Sequence, residues 1–237
     1  MRIKNMQDRM EYLIDETLAI LMAKVSSGMV KINKEASFQL HFSNILLKLS
    51  EIYTLNNDEK LEIILESSIN FPKEIQAVLK KGKVPEVDIL FIAKDKGKTI
   101  FSIAIELKFY KEYSSTGKSR GATNLFMRDV YVDIEMLEHY QTCGQVDQLE
   151  VDKINQGVLI IGTDFEYFTK RPEKSDANCW VCDTSSGAKV TKGKNIMSNH
   201  TVNGEKKEYP FCFKSDYEFN WKSAFNNKIV AKENDYF

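Results

Sequence analysis

A chain of 237 residues, 43% hydrophobic and 28% charged, carries enough apolar material for one large core or two small ones. Its formal net charge of -1 argues against a protein that coats nucleic acid through overall positive charge, though not against a local basic groove. No run approaches the ~18 apolar residues of a membrane span, the N-terminus lacks the apolar segment of a signal peptide, and four cysteines make no disulfide scaffold. The expectation is a cytoplasmic protein without a membrane partner.

Met6, Met10, Leu13, Ile14, Leu18, Leu21, Met22 and Val25 recur at helical spacing and predict an amphipathic helix ending near Ser26-Ser27-Gly28. A second helix is expected from about Lys34 to Leu49, with Asn33 as N-cap and Phe38, Phe42, Ile45 and Leu49 as its apolar stripe. Glu35 and Gln39 fall on that stripe. Two readings of Glu35 stay open: an inward carboxylate that needs a partner or a metal ion, and a first-turn residue that favours the helix dipole.

Leu61 to Ile69 reads as a strand or a short helix. Val84 to Ile92 reads as a strand entered through Pro85, Lys94 to Lys98 as a turn, and Thr99 to Tyr110 as the returning strand of a hairpin. Tyr113 to Gly121 is a polar loop, and Ala122 to Gln141 a helix carrying Phe126, Val130, Ile134 and Leu137. Val158 to Gly162 has the unbroken apolar character of a strand buried on both faces. Beyond it the sequence suggests a helix from Asp164 to Lys170, strands at Asn178 to Asp183 and Tyr209 to Phe213, and a helical segment around Trp221 to Phe225. This order gives a mixed α/β sheet flanked by helices in a single domain spanning 1–237. Its N-terminal helices occupy 1–50 and a C-terminal elaboration 166–237.

The hairpin carries the chemistry. Residues two apart in a strand share a face, so Glu106 and Lys108 point one way while Ile103, Ile105, Leu107 and Phe109 point the other. A residue near the start of one hairpin strand pairs near the end of the other, which brings Asp88 beside Glu106 and Lys108. Mg²⁺ takes oxygen ligands and keeps several waters, so Asp88, Glu106 and the backbone carbonyl of Leu107 would suffice to hold it. Lys108 would orient or deprotonate the attacking water, or offset transition-state charge. A cation beside it would push it toward its neutral form.

With Pro85, Asp88, Glu106 and Lys108 so placed, "PEVD…IELK" resembles the signature of the PD-(D/E)XK phosphodiesterase superfamily. The resemblance spans roughly residues 35 to 165 and implies a restriction-endonuclease-like fold: a mixed central sheet flanked by helices, with Leu61 to Ile69 as the first strand of a meander. It implies that Asp88 and Glu106 bind metal and that Lys108 assists catalysis, with Glu35 the candidate for an added acid from an N-terminal helix. Pro-Glu-Val-Asp stands where the pattern has adjacent Pro-Asp, and Glu86 would share a face with Asp88 and could compete as a ligand. The function implied is a Mg²⁺-dependent nuclease, with Mn²⁺ as a substitute, of the restriction or defence endonuclease type. Its substrate is nucleic acid, DNA ahead of RNA, and cutting both strands would favour a homodimer.

Lys111, Lys118 and Arg120 follow the catalytic strand with Tyr110 and Tyr113 interleaved, and Asn124 and Arg128 open the next helix. They are the candidate phosphate contacts; the alternative is a mobile polar loop. Two further basic clusters, Lys73, Lys80, Lys81, Lys83 and Lys189, Lys192, Lys194, read as solvated surface. Cys179, Cys182, His200 and Cys212 are too irregularly spaced for a zinc set and read as small buried hydrophobes. Two rival readings are a catalytically inactive nucleic-acid-binding protein on the same fold and a protein-interaction domain.

Overall fold

The computed structural model describes residues 5–73, 85–114, 116–121, 123–146, 151–172, 180–202, 205–223 and 230–232. Helix α1 (Met6–Ser26) starts at Asn5, whose side chain accepts from the Asp8 amide, and helix α2 spans Glu35–Tyr53. Lys34, not Asn33, is the cap residue of α2, and Ser37 closes the turn by accepting from the amides of Asn33 and Lys34. Strands β1 (Glu59–Ser68), β2 (Glu86–Asp95) and β3 (Lys98–Tyr110) form an antiparallel meander. The β2–β3 turn places Lys96 and Gly97 at positive φ. Helix α3 (Thr123–Cys143) then crosses over to β4 (Gln156–Thr163), which pairs parallel to β3. The four strands form a mixed sheet with three helices packed against it. Short strands β9 (Trp221–Ser223) and β10 (Val230–Lys232) extend it in the order β1-β2-β3-β4-β10-β9.

Alternation along β3 divides the core. Ile103, Ile105, Leu107 and Phe109 face α1 and α2, together with Ile89, Phe91, Val158 and Ile160. Ala104 and Tyr110 face α3, with Leu90, Ile92, Leu159 and Ile161. The helix comes in close: a Cβ on Gly157 would lie 2.9 Å from Leu137 Cβ, so only glycine fits that β4 position without a shift.

The last third differs from the sequence-based expectation. The segment 180–183 is turn and bend, not strand, and a single 3-10 turn at Glu166–Phe168 replaces the helix expected over 164–170. Trp221–Ser223 is strand, not helix, with Trp221 Nε1 donating to the Thr184 carbonyl at 2.6 Å. The strand expected over Tyr209 to Phe213 is present, its aromatic residues alternating along an extended ribbon. Strands β6 (Asn195–Val202) and β7 (Glu205–Cys212) form that ribbon, and β5 (Lys189–Val190) pairs with β8 (Tyr217–Glu218). Phe211, Phe213 and Phe219 pack on Tyr131, so α3 lies between the sheet and the C-terminal strands.

A buried carboxylate fastens this second layer. Glu138 of α3 accepts from the amides of Lys214 (2.7 Å) and Ser215 (3.0 Å) and from the Tyr217 hydroxyl. A Glu138→Ala variant leaves the buried Tyr217 hydroxyl without its acceptor and releases the 214–215 turn, and the expected cost is about 3 kcal/mol. A drop in melting temperature of roughly 6–12 °C would show it.

Candidate active site

Asp88, Glu106 and Lys108 converge as the hairpin geometry requires. The β2–β3 ladder pairs Ile89 with Ile105 and extends no further toward the β2 start. There the Asp88 side chain takes over from the backbone: its Oδ2 accepts from the Leu107 amide at 2.7 Å. The β1 register also skips this point, pairing Leu65 with Ile89 and Ser67 with Val87, while Glu66 between them adopts φ 52. Gln39 of α2 donates to the Asp88 carbonyl oxygen at 2.8 Å and fixes the strand from the other face of the sheet.

Glu106 lies on the α3 face and is 8% exposed. Tyr140 of α3 is a neighbour of its carboxylate. Lys108 sits between two acids. Its Nζ is 3.0 Å from Asp133 Oδ2 of α3 and 3.9 Å from Glu35 Oε2. Glu35 also accepts from the Phe109 amide at 3.4 Å, and its side chain is 43% exposed. It therefore lies at the rim of the site, near its own helix terminus and near Lys108, and both sequence readings of it are partly met. Glu86 is exposed and makes no recorded contact with the cluster.

Asp133 and Tyr140 were not singled out in the sequence. They were legible in principle: positions 126, 130, 133, 137 and 140 form one helical row, and a carboxylate in that row must find a cation.

Four carboxylates, Glu35, Asp88, Glu106 and Asp133, thus share one ammonium. Burial pushes Glu106 well above the ordinary carboxylate range, and the charges of Asp133 and Asp88 push it further. Burial raises Asp133 to about 7, against the pull of Lys108. Burial raises Asp88, partly offset by the Leu107 amide and Lys108, and it raises Glu35 as well. Burial alone would lower Lys108, but Asp133, Glu35 and Glu106 outweigh it and hold the ammonium above the usual lysine range. Among the protein's own groups Lys108 is therefore a fixed cation, which favours an electrostatic role over a base.

The donors are hard oxygens, as Mg²⁺ and Mn²⁺ prefer. In a strand the N–H and C=O of one residue point to the same side, so the Leu107 carbonyl lies on the Asp88 side with its amide. Among the described residues no group of three or more His, Cys, Asp or Glu side chains is arranged to hold a metal ion. Cys182 is buried, Cys212 is exposed, and Cys179 lies outside the described residues.

The described residues of the loop after β3 carry hydrogen bonds of their own. Ser114 donates its amide to the Lys118 carbonyl at 2.8 Å, and the Tyr110 hydroxyl donates to the carbonyl of Arg120 at 2.8 Å. The Glu112 amide donates to Asp164 Oδ1 at 2.7 Å. Lys118 and Arg120 are exposed, and Lys111 Nζ lies 3.4 Å from Asn33 Oδ1 beside the α2 terminus. Asn124 and Arg128 are half-buried on α3; Arg128 pairs with Asp129 and lies 5.0 Å over the Tyr209 ring. Of the first basic cluster, Lys80, Lys81 and Lys83 lie outside the described residues. No described helix is long and apolar enough to cross a membrane.

No family model, curated protein or solved structure matches this chain.

Proposed function

We propose that the chain is a metal-dependent phosphodiesterase acting on nucleic acid, with DNA ahead of RNA and an endonuclease of restriction or defence type as the narrower reading. The observation that carries it is the surplus of buried carboxylate around one lysine at the opened end of the β2–β3 ladder. A cluster so short of positive charge calls for a cation, and its oxygen donors suit a hard one. The order of helix, meander, helix and parallel strand supports a restriction-endonuclease-like fold.

Asp88, Glu106 and the Leu107 carbonyl would hold Mg²⁺ or Mn²⁺. When bound, such an ion polarises a phosphoryl oxygen and acidifies water. The protein's own groups do the rest. The Leu107 amide fixes the Asp88 carboxylate, and the Lys108 ammonium stands ready for negative charge on the phosphoryl group. Lys118 and Arg120 offer exposed charge to flanking phosphates.

Calorimetric titration of Mn²⁺ into wild type and Asp88→Asn, followed by cleavage assays on plasmid DNA and on RNA, tests this reading. Binding that Asp88→Asn loses, together with metal-dependent cleavage, supports it. Absence of both in the wild type, with nucleic acid present, sinks it. The exposed Lys118 and Arg120 suit equally a second reading, a non-catalytic nucleic-acid-binding protein. Both readings expect that Lys118→Gln with Arg120→Gln weakens binding to any sequence. Fluorescence anisotropy against salt should then show the log–log slope shallower by about 2.

A further inference from the structure

We infer that Asp133 is the positioning residue for Lys108, holding its ammonium in place over the Glu106 side of the site. The inference takes its catalytic meaning from the phosphodiesterase reading, but the contact itself does not depend on it. Two acids compete for Lys108. Asp133 is nearer, at 3.0 Å against 3.9 Å for Glu35, and less exposed, at 15% against 43%. Attraction grows as distance and local dielectric fall, so the buried partner dominates.

The two acids also differ in what carries them. Glu35 stands in the first turn of α2, at the rim. Asp133 sits mid-helix in α3, which the sheet grips on one side through Leu137 against Gly157 and the C-terminal strands grip on the other through Tyr131 and Glu138. A lysine side chain has four rotatable bonds and loses much of its catalytic value if its charge wanders. Asp133 supplies the restraint.

The first measurement uses the full chain with ¹⁵N-labelled lysine in chelator. A buried, ion-paired ammonium exchanges slowly with water, so Lys108 should give a resolved signal, assigned by its loss in Lys108→Arg. Asp133→Asn, which keeps the side-chain shape, should abolish that signal, and Asp133→Glu should restore part of it. The second measurement is cleavage. Asp133→Asn should lower kcat about 10–100-fold while leaving KM and Mn²⁺ affinity within about twofold. An unchanged Lys108 signal in Asp133→Asn overturns the positioning role. Loss of Mn²⁺ binding in that variant also overturns it, making Asp133 a metal ligand instead. A wild type that cleaves neither DNA nor RNA overturns the phosphodiesterase reading, and the ammonium signal still decides the Asp133–Lys108 pair.

Discussion

In chelator at about pH 7.5, Glu106→Gln should melt above the wild type while failing to bind Mn²⁺ or cleave. Glu106 is held well above the ordinary carboxylate range by burial and by Asp133 and Asp88, so its ionised form opposes folding. Each unit of such a shift is worth about 1.4 kcal/mol. Glutamine keeps the shape and removes the charge. A higher melting temperature is expected. The sign with pH follows. A carboxyl group raised in the folded state contributes stability at low pH and loses it as pH climbs through its folded pKa, about 7 for the neighbouring Asp133. The gap between variant and wild type should therefore open between about pH 5 and 8 and close when Mn²⁺ stabilises the wild type alone. Calorimetry across that range checks it. A variant that melts lower at every pH would show that the charge on Glu106 is supported rather than suppressed.

Lys108→Met should lose cleavage by at least about a thousandfold and, unlike Glu106→Gln, should also lose stability. It strips the cation from Asp133 and Glu35 while leaving the buried Asp133 carboxylate in place. Breaking a buried pair from one side costs about 3–5 kcal/mol. Protonation of Asp133 limits this cost, so the loss should be smaller at about pH 6 than at about pH 8. Adding Asp133→Asn to Lys108→Met should recover most of the stability and none of the activity. A double-mutant cycle by denaturant melts measures the coupling. Additive effects would mean that the 3.0 Å contact has little energetic weight.

The two halves of the molecule were unequally legible. Strict alternation in "IAIELKFYK" set the faces of β3, and the turn at Lys96-Gly97 set the hairpin register, so the convergence of Asp88, Glu106 and Lys108 could be read in advance. These are local rules of period and turn. Asp133 could not be placed as easily, because its significance depends on α3 crossing back over β3, a long-range event. In the C-terminal third the strand at Tyr209 to Phe213 was legible from its alternation, while the helices expected over 164–170 and around Trp221 give way to a 3-10 turn and a short strand. Phe211, Phe213 and Phe219 pack on α3 from extended strands and turns. The acids around Lys108 were undercounted: Asp133, Glu35 and Glu106 outweigh its burial and hold the ammonium above the usual lysine range before any cation binds.

The bond from the Leu107 amide to Asp88 Oδ2 replaces a carbonyl acceptor with a carboxylate at one rung of the hairpin. Charge on that carboxylate is thereby written into a single backbone proton. Its resonance should lie downfield of its strand neighbours and move whenever Asp88 is protonated or takes up a cation. One peak would then follow occupancy of the site in solution, without substrate or turnover.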